Sequence, residues 1–370
     1  MNPISTYAIP DLPPAVNFET IEIYKHLVAA KSSLAELKGL ATTIPNKSIL
    51  IDTLALQEAR ASSEIENIVT TQDALFRGDI NLPGALTGPV KEVERYRDAL
   101  KLGWDQLQSS QNLITNRMLV SQYQLLKQRD DGLRDCSGTV LKNNAGEIVY
   151  VPPQMPDNII KYMTALERYI NEDDDCSLDP LIKMAIIHHQ FESIHPFSDG
   201  NGRVGRMLNV LFLCKVGLLD SPILYLSRAI NARKNSYYRL LQAPRDVVDN
   251  SDAWQNWVIF MLTSVAETAE STIVLVRSIR DLMAATKLAI RDGNLSKIYS
   301  QDLLNNLFRH PYTRVEFVQN DLNVTRQTAT KYLDALADEG LLRKVRQGRN
   351  NYYINERLVD LFLSVSEERE

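Results

Sequence analysis

The segment HPFSDGNGRVGR, His195–Arg206, concentrates residue types that handle phosphate groups. Its Asp-Gly-Asn-Gly turn cannot continue a helix, and the apolar stretch after it predicts a buried helix that begins near Gly202. A glycine-rich loop that enters a helix N-terminus presents unpaired N–H groups and a positive dipole end to an anion. Arg203 and Arg206 lie three residues apart, so both guanidinium groups can reach the same anion.

Two more residues of this segment carry chemistry. A bare phosphate would repel Asp199, so its carboxylate predicts a divalent cation such as Mg²⁺ between it and the phosphate oxygens. His195 has the one side chain here whose pKa suits proton transfer near neutrality. Together these residues predict a phosphoryl- or nucleotidyl-transfer site. By composition alone, a purely structural turn remains an alternative.

Length and composition set the frame for this segment. A chain of 370 residues suits two or three domains, and 44% hydrophobic with 24% charged residues excludes disordered and fibrous classes. The net charge of -5 means that any nucleic-acid contact must come from a local patch. We expect a cytoplasmic protein without membrane association, because the N-terminus lacks a secretion signal and the apolar runs are short. Three cysteines without metal spacing argue against disulfides: Cys136, Cys176 and Cys214.

The predicted elements are mostly helices, with one exception before the segment. Alternating β-formers at Thr139–Leu141 and Ile148–Val151 flank the turn-rich KNNAG and predict a β-hairpin that lies as a flap on the helices. Asp179 and Pro180 predict the N-cap and first turn of the helix that leads to His195. We therefore predict a mainly α fold with a small hairpin flap.

The C-terminal part, from about Asn294, predicts a winged helix-turn-helix domain: three short helices and a two-stranded ribbon. Thr313 and Glu316 predict a capping box for its second helix. Thr325 predicts the cap of the third helix, and Gly340 its end. Residues that could contact DNA are Thr325, Arg326, Gln327, Thr328 and Lys331 on the third helix, with Arg343, Lys344, Arg346 and Arg349 on the ribbon. A protein-binding or dimerising role remains an alternative for this domain.

The segment matches every position of the Fic family signature, H-P-F-x-[DE]-G-N-G-R-x-x-R, so the sequence resembles a Fic-domain AMP transferase. GLRDCSGTVLKNNAGEIVYVPP lies where Fic proteins carry a target-docking hairpin, and Leu226–Leu241 resembles the segment beside their nucleotide. The resemblance implies a Fic helical core with an N-terminal helical extension and a C-terminal winged helix. We place the three domains at residues 1–110, 111–290 and 291–370.

The resemblance also implies a role for each motif residue, with ATP and Mg²⁺ as cofactors. His195 would take the proton from a Ser, Thr or Tyr hydroxyl of a target protein as it attacks the α-phosphate, and pyrophosphate would leave. Asp199 would hold Mg²⁺. Gly200, Asn201 and Gly202 would form the anion hole, while Arg203 would bind the β-phosphate and Arg206 the γ-phosphate. Phe197 would anchor the loop at the nucleotide site, and Tyr238 would lie beside the nucleotide. The Doc-type kinase branch of the family carries lysine at the position of Gly202, so this glycine argues against membership of that branch.

A second motif, SSEIEN at Ser62–Asn67, is an acidic helix face by composition alone. Beside a Fic motif it resembles the family's inhibitory sequence [ST]-x-x-x-E-[GN]. The resemblance implies that Glu66 pairs with Arg206 and blocks the γ-phosphate site, with Ser62 tying the helix to the core. The same glutamate could instead position a water that removes AMP.

The implied partners are a protein target, which could be the protein itself, and a second copy in a homodimer. The hairpin would dock an extended target segment through Thr139, Val140, Leu141, Lys142, Ile148, Val149 and Tyr150. The competing hypothesis is a DNA-binding transcriptional regulator that uses the winged helix, with the Fic core as a nucleotide sensor or de-AMPylase.

Overall fold

The computed structural model describes residues 7–80, 82, 84–143, 145–172, 178–246, 251–347 and 350–367. Cys176 and Arg349, both named above, lie outside these residues. The chain divides into two compact units. The first comprises Met1–Ala35, Gln57–Ile68 and Arg95–Ala269, taken over the described residues, and the second comprises Glu36–Leu56, Val69–Glu94 and Glu270–Glu370, taken the same way.

Up to Asp292 the described elements are helical apart from one hairpin. They are α1 (Ile21–Ala41), α2 (Lys47–Ile65), α3 (Gln72–Asp79), α4 (Gly88–Ser109), α5 (Asn116–Lys127), β1 (Leu141–Lys142), β2 (Ile148–Tyr150), α6 (Pro156–Asn171), α7 (Pro180–Ile194), α8 (Asn201–Lys215), α9 (Ser227–Ala232), α10 (Lys234–Asp246) and α11 (Ser251–Asp292). The mainly helical prediction is therefore confirmed.

Helices α7 and α8 form the centre of the first unit and pack against each other. Asp179 caps α7 by accepting a 3.0 Å hydrogen bond from the Leu181 amide, and Pro180 begins the helix, as predicted. Nearly every α7 and α8 side chain is buried, because helices surround both. On α11, Trp257 is fully buried and its indole N–H donates to the Ala185 carbonyl at 2.8 Å. The segment that joins α7 to α8 is thus held by a rigid core.

The predicted hairpin is present, with shorter strands than expected. Leu141 pairs with Tyr150 and Lys142 with Ile148 in an antiparallel ladder. The Asn143 side-chain oxygen accepts the amides of Ala145 and Glu147, both at 3.0 Å, which closes the turn. Thr139 and Val140, predicted to be in the first strand, precede the paired residues.

The second unit ends in a small helical module with its own sheet. Its elements are a 3-10 helix (Ser296–Ile298), α12 (Gln301–Arg309), β3 (Tyr312–Arg314), α13 (Val315–Leu322), α14 (Arg326–Asp338), β4 (Arg343–Gln347), β5 (Asn350–Ile354) and α15 (Glu356–Glu367). The sheet is antiparallel with strand order β3-β5-β4. This order of elements fits the predicted winged helix. The sequence prediction did not include β3 or α15.

The predicted helix ends in this module are confirmed for α14 and wrong for α13. Thr325 caps α14 by accepting the Thr328 amide at 3.2 Å, and Gly340 follows its end with φ 70°. Thr313 caps nothing: it lies in β3 opposite Tyr353, and its hydroxyl donates to the Asn306 side chain at 3.1 Å. Thr313 therefore pairs within the sheet and does not cap a helix, although the capping-box pattern predicted a helix end there.

Helix α11 is long and apolar enough by composition to cross a membrane, the one such helix among the described residues. Its most apolar 18-residue window has a mean hydropathy of 1.5, and 67% of that window is buried inside the structure. Buried core helices meet the same criteria, so this feature is weak evidence for a membrane span.

Candidate active site

His195 occupies a sharp turn directly after α7. Its backbone is left-handed, with φ 49° and ψ 59°, and its amide donates to the Phe191 carbonyl at 2.9 Å. This conformation costs a non-glycine residue about 1–2 kcal/mol, so the surrounding contacts must fix it. The residue as a whole is partly exposed, but Nδ1 of its imidazole is buried with no hydrogen-bond partner among the described residues.

The surroundings of His195 keep its ring neutral. Burial, and then the positive charges of Arg245 and Arg134, lower the pKa of His195 to about 4. The charged form of an imidazole is disfavoured both by desolvation and by nearby cations. At neutral pH the ring therefore carries a lone pair that can accept a proton.

The loop after His195 is closed by its own side chains. The Phe197 amide donates to the Asn201 side-chain oxygen, and the Asn201 amide group donates back to the Phe197 carbonyl, both at 2.8 Å. The Phe197 ring is fully buried and stacks on Tyr123 with centroids 4.4 Å apart. Gly200, with φ 77°, then turns the chain into α8. The side chains of Phe197 and Asn201 therefore anchor the loop that leads into α8.

Asp199 is 63% exposed at the entrance of α8. Its carboxylate accepts from the Lys127 ammonium at 2.6 Å and from the Gly200 amide at 2.6 Å. Although partial burial raises the pKa of Asp199, these two donors hold it below its usual value. An ionised, accessible carboxylate beside an anion site suits Mg²⁺, which takes one or two carboxylates and completes its shell with phosphates and water. No cluster of three metal-ligating side chains exists among the described residues.

The two motif arginines are buried on α8, with Arg203 2% and Arg206 1% exposed. Arg206 reaches α2: its Nε donates to the Ser62 hydroxyl at 2.8 Å, and its Nη2 donates to the Ser62 carbonyl at 3.0 Å. The same Nη2 lies 2.7 Å from Glu66 Oε1. Burial alone would lower the pKa of Arg206, but the Glu66 charge raises it, so the guanidinium is charged.

Glu66 lies in the turn that ends α2, directly over the start of α8. Asn67 takes a left-handed backbone with φ 61°, and the Ile68 amide donates to the Ser63 carbonyl at 3.0 Å. An ideal Cβ on Gly202 would lie 2.6 Å from Glu66 Oε1, so a larger residue at this position would have to displace the carboxylate. The Asn67 side-chain oxygen accepts from the Lys234 ammonium at 3.0 Å. The Glu66 carboxylate thus occupies space at the N-terminus of α8 where an anion would bind.

A buried carboxylate that sequence reasoning missed anchors α2 two turns earlier. Glu58 is 1% exposed and accepts from the Tyr96 hydroxyl at 2.9 Å and from the Ser227 amide at 3.0 Å. The Ser227 hydroxyl donates to it as well. Burial raises the pKa of Glu58. These contacts fix the helix that carries Ser62 and leads into the turn of Glu66.

A second missed carboxylate is Glu192, one turn before His195. It is 6% exposed, and its Oε1 has no hydrogen-bond partner among the described residues. An ideal Cβ on Gly205 would lie 2.6 Å from that oxygen. Burial raises the pKa of Glu192 to about 7, against the lowering effect of Arg206. No spacing in the sequence distinguishes this residue from an ordinary core-helix glutamate.

The tyrosines near the site divide into buried and exposed. Tyr237 is buried, and its hydroxyl lies 2.8 Å from His188 Nε2, whereas Tyr238 is 43% exposed. Tyr150, predicted above to dock a target, is 1% exposed, and its hydroxyl donates to the Ser193 carbonyl at 2.8 Å. Its side chain faces inwards and fastens the hairpin to α7. Ile148, 48% exposed, presents an apolar side chain outwards.

The predicted nucleic-acid contacts lie in the second unit. Arg326, Gln327, Lys331 and Arg346 are all exposed. Two other basic residues of the ribbon are paired with acids: Lys344 lies 2.6 Å from Asp334, and Arg343 contacts Glu356.

Three family models match this chain. The model described as "Fic/DOC family N-terminal" matches residues 24–105, and the one described as "Fic/DOC family" matches residues 110–213, which include the whole His195–Arg206 segment. The chain belongs to the Fic/DOC family. A third model, "Protein adenylyltransferase SoFic-like, C-terminal domain", matches residues 282–358.

Similar proteins from other organisms agree with this family. The protein adenylyltransferase Fic of Drosophila yakuba is 32% identical over 93 residues, which are 25% of this chain and 17% of that protein. The protein adenylyltransferase fic-1 of Caenorhabditis briggsae is 31% identical over 65 residues, 18% of this chain and 13% of that protein. The matches therefore span less than a fifth of the length of these relatives.

Solved structures show the same fold. A Fic family protein from Desulfovibrio desulfuricans superposes with a TM-score of 0.57 at 21% identity, over 90% of this chain and 96% of that chain. Fic-1 from C. elegans superposes with a TM-score of 0.52 at 17% identity, over 69% and 73% of the two chains. The predicted Fic fold is confirmed.

Proposed function

We propose that this protein is an autoinhibited protein adenylyltransferase, which transfers AMP from ATP to a Ser, Thr or Tyr hydroxyl of a protein. One observation carries the proposal: a neutral imidazole, an ionised carboxylate and two buried arginines meet at the glycine-lined start of α8. The names of the relatives, protein adenylyltransferases, support the same reaction.

The chemistry follows from the charges around the loop. The target hydroxyl oxygen bonds to the α-phosphorus of ATP, the bond from that phosphorus to the bridging oxygen of pyrophosphate breaks, and the hydroxyl proton passes to His195. The positive end of the α8 dipole, with the Gly202 amide, stabilises the charge that develops on the α-phosphate. Arg203 and Arg206 bind the β- and γ-phosphates and hold the leaving pyrophosphate.

Asp199 would hold Mg²⁺, which supplies charge neutralisation to the phosphate groups when bound. The Lys127 ammonium contacts the same carboxylate at 2.6 Å. The ammonium and the cation would therefore compete for one carboxylate.

His195 becomes a stronger base when ATP binds. Burial and the charges of Arg245 and Arg134 hold the pKa of His195 near 4. The negative charge of a triphosphate beside the ring favours the protonated imidazole and so raises this pKa towards neutrality. Proton acceptance from the target is thereby coupled to occupancy of the nucleotide site.

Glu66 acts as the inhibitory residue. Its carboxylate holds Arg206 at 2.7 Å and lies against Gly202. It therefore engages the arginine that would bind the γ-phosphate and also takes up part of the anion site. ATP either competes with Glu66 or binds in a pose that leaves the α-phosphate misaligned for attack. Ser62 and Glu58 keep the helix in this position. If Glu66 instead orients a water, the same contact serves removal of AMP.

The target docks at the hairpin. An extended target segment would pair with the edge of β1 or β2 and bring its hydroxyl to His195, while Tyr150 fixes the hairpin from beneath. Tyr238 borders the nucleotide. The domain divisions at residues 110 and 290, the cytoplasmic location and the homodimer remain predictions of this proposal.

A second candidate function belongs to the C-terminal module. Arg326, Gln327 and Lys331 are exposed on α14, and Arg346 is exposed on β4, an arrangement that favours a nucleic-acid surface on this module. The acid pairs of Arg343 and Lys344 weaken that surface and favour a protein contact instead.

The proposal is tested by mass spectrometry of Glu66→Gly protein after incubation with ATP and Mg²⁺. We expect an AMP adduct on a hydroxyl side chain of the protein or of an added target, and none with His195→Ala in the same background. A phosphate adduct in place of AMP would refute the proposal.

A further inference from the structure

One arginine outside the Fic signature binds the backbone of the turn that carries His195. Arg134, in the segment between α5 and the hairpin, is 6% exposed. Its Nε donates to the His195 carbonyl at 2.8 Å, and its Nη2 donates to the Ile194 carbonyl at 3.3 Å. Its backbone amide donates to the Pro196 carbonyl at 2.8 Å. Three consecutive carbonyls at the end of α7 therefore accept from one residue.

The same guanidinium also holds the hairpin. Its Nη2 donates to the carbonyl of Pro153, three residues after the end of β2. The Tyr150 hydroxyl adds a bond to the Ser193 carbonyl at 2.8 Å. The returning side of the hairpin and the last turn of α7 are thus joined through two buried side chains.

The choice of arginine has a physical reason. The last carbonyls of a helix have no partner within it and form the negative end of its dipole, so a cation with several donors satisfies both needs. A guanidinium presents donors in a fixed planar fork, whereas a lysine ammonium is a mobile point charge. No carboxylate pairs with Arg134 among the described residues, and burial lowers its pKa. Among the described residues, the side-chain hydrogen bonds of Arg134 therefore all go to backbone carbonyls.

We propose that Arg134 is a positioning residue: it fixes the left-handed backbone of His195 and locks the hairpin to the same turn. The inference rests on the proposed function, because it concerns how a hairpin-bound hydroxyl meets the base. A displaced His195 backbone changes the distance between imidazole and target hydroxyl, while the phosphate contacts of α8 stay in place.

The kinetic test uses Arg134→Gln and Arg134→Lys in the Glu66→Gly background. We expect kcat for AMP transfer to fall by about 100-fold with Gln, as for a misplacement of about 1 Å, with the KM for ATP unchanged. Lysine should restore only part of the loss, since its ammonium lacks the planar fork that spans these carbonyls. The control is Arg129→Gln, an exposed arginine that pairs with Asp131 at 2.9 Å, which should leave kcat unchanged. A kcat retained in both Arg134 variants would overturn the inference.

A readout without activity separates this inference from the reaction itself. The imidazole of His195 is titrated by NMR, its signal identified by its loss in His195→Ala. The charged groups that act on the ring are Arg134, Arg245 and Glu66. Because the charge of Arg134 lowers the pKa of His195, Arg134→Gln should raise this pKa and Arg129→Gln should leave it unchanged. Hydrogen exchange of the hairpin amides should also accelerate, with thermal unfolding showing that the variant remains folded.

These readouts also distinguish two failures. If no variant transfers AMP but the His195 titration and hairpin exchange change as expected, the proposed function fails and the structural role of Arg134 stands. If Glu66→Gly protein transfers AMP and Arg134→Gln alters neither titration, exchange nor kcat, the inference is wrong.

Discussion

Replacement of Glu66 by glycine is expected to release the enzyme, and the contacts give the size of the effect. The substitution removes the carboxylate that holds Arg206 Nη2 at 2.7 Å and lies over Gly202. A hydrogen bond to a charged group contributes about 1.5–3 kcal/mol. ATP must overcome this energy to take Arg206, which reduces the fraction of competent sites correspondingly. Since about 1.4 kcal/mol is tenfold, AMP transfer at subsaturating ATP should rise about 10- to 150-fold.

The assay measures initial rates of protein-bound AMP at a fixed ATP concentration below KM. The matched control is Glu64→Gly, which removes the same charge and adds the same glycine two residues earlier. Position 64 is inside α2 while position 66 follows its end, so any loss of helix stability is larger in the control. We expect the control to keep the low rate of the unmodified protein. Equal activation by both variants, or an unchanged rate with Glu66→Gly, would refute the inhibitory role of the Arg206 contact.

Three further outcomes follow from the structure. Asp199→Asn should raise the Mg²⁺ concentration for half-maximal activity by about 10- to 100-fold, since a charged ligand is lost. Asp131→Asn serves as the control. If Asp199→Asn requires the same Mg²⁺ concentration as this control, Asp199 is excluded as a ligand. Glu192 has a folded-state pKa of about 7 against 4.5 for the free side chain, so its neutral form stabilises the fold below about pH 4.5 and this stability, about 3 kcal/mol, is lost as pH rises through 7. Urea unfolding of Glu192→Gln should therefore depend less on pH across that window than the parent, and parallel curves would contradict the assignment. If the C-terminal module binds DNA, affinity should fall steeply with salt and Arg346→Ala should reduce the slope by about 1, whereas no retained DNA at low salt would favour the protein-contact role.

The sequence predicted those features whose cause is local. The Asp-Gly-Asn-Gly turn, the Asp179 cap and the Asn143 hairpin turn each depend on residues within a few positions of one another, and the structure has all three. Where two local signals competed, the choice was wrong: Thr313 carries a capping pattern, but pairing of β3 with β5 holds its backbone extended.

Features that depend on distant partners were outside the reach of pattern reasoning. Lys127 meets Asp199 across 72 positions of the chain, and Glu58 meets Ser227 across 169. Arg134 meets His195 across 61. None of these residues has a periodicity or neighbour that indicates its partner. The contact of Glu66 with Arg206, 140 positions apart, was anticipated only through the family resemblance, because an acidic helix face has the same composition.

The most direct test of the central claim is the fate of each phosphate of ATP. Glu66→Gly protein is incubated with Mg²⁺ and ATP that carries label at either the α- or the γ-phosphate, with His195→Ala in the same background as the control. The proposed reaction predicts protein-bound label from the α-phosphate alone, and none in the His195→Ala control. Label transferred from the γ-phosphate would identify a kinase and contradict it.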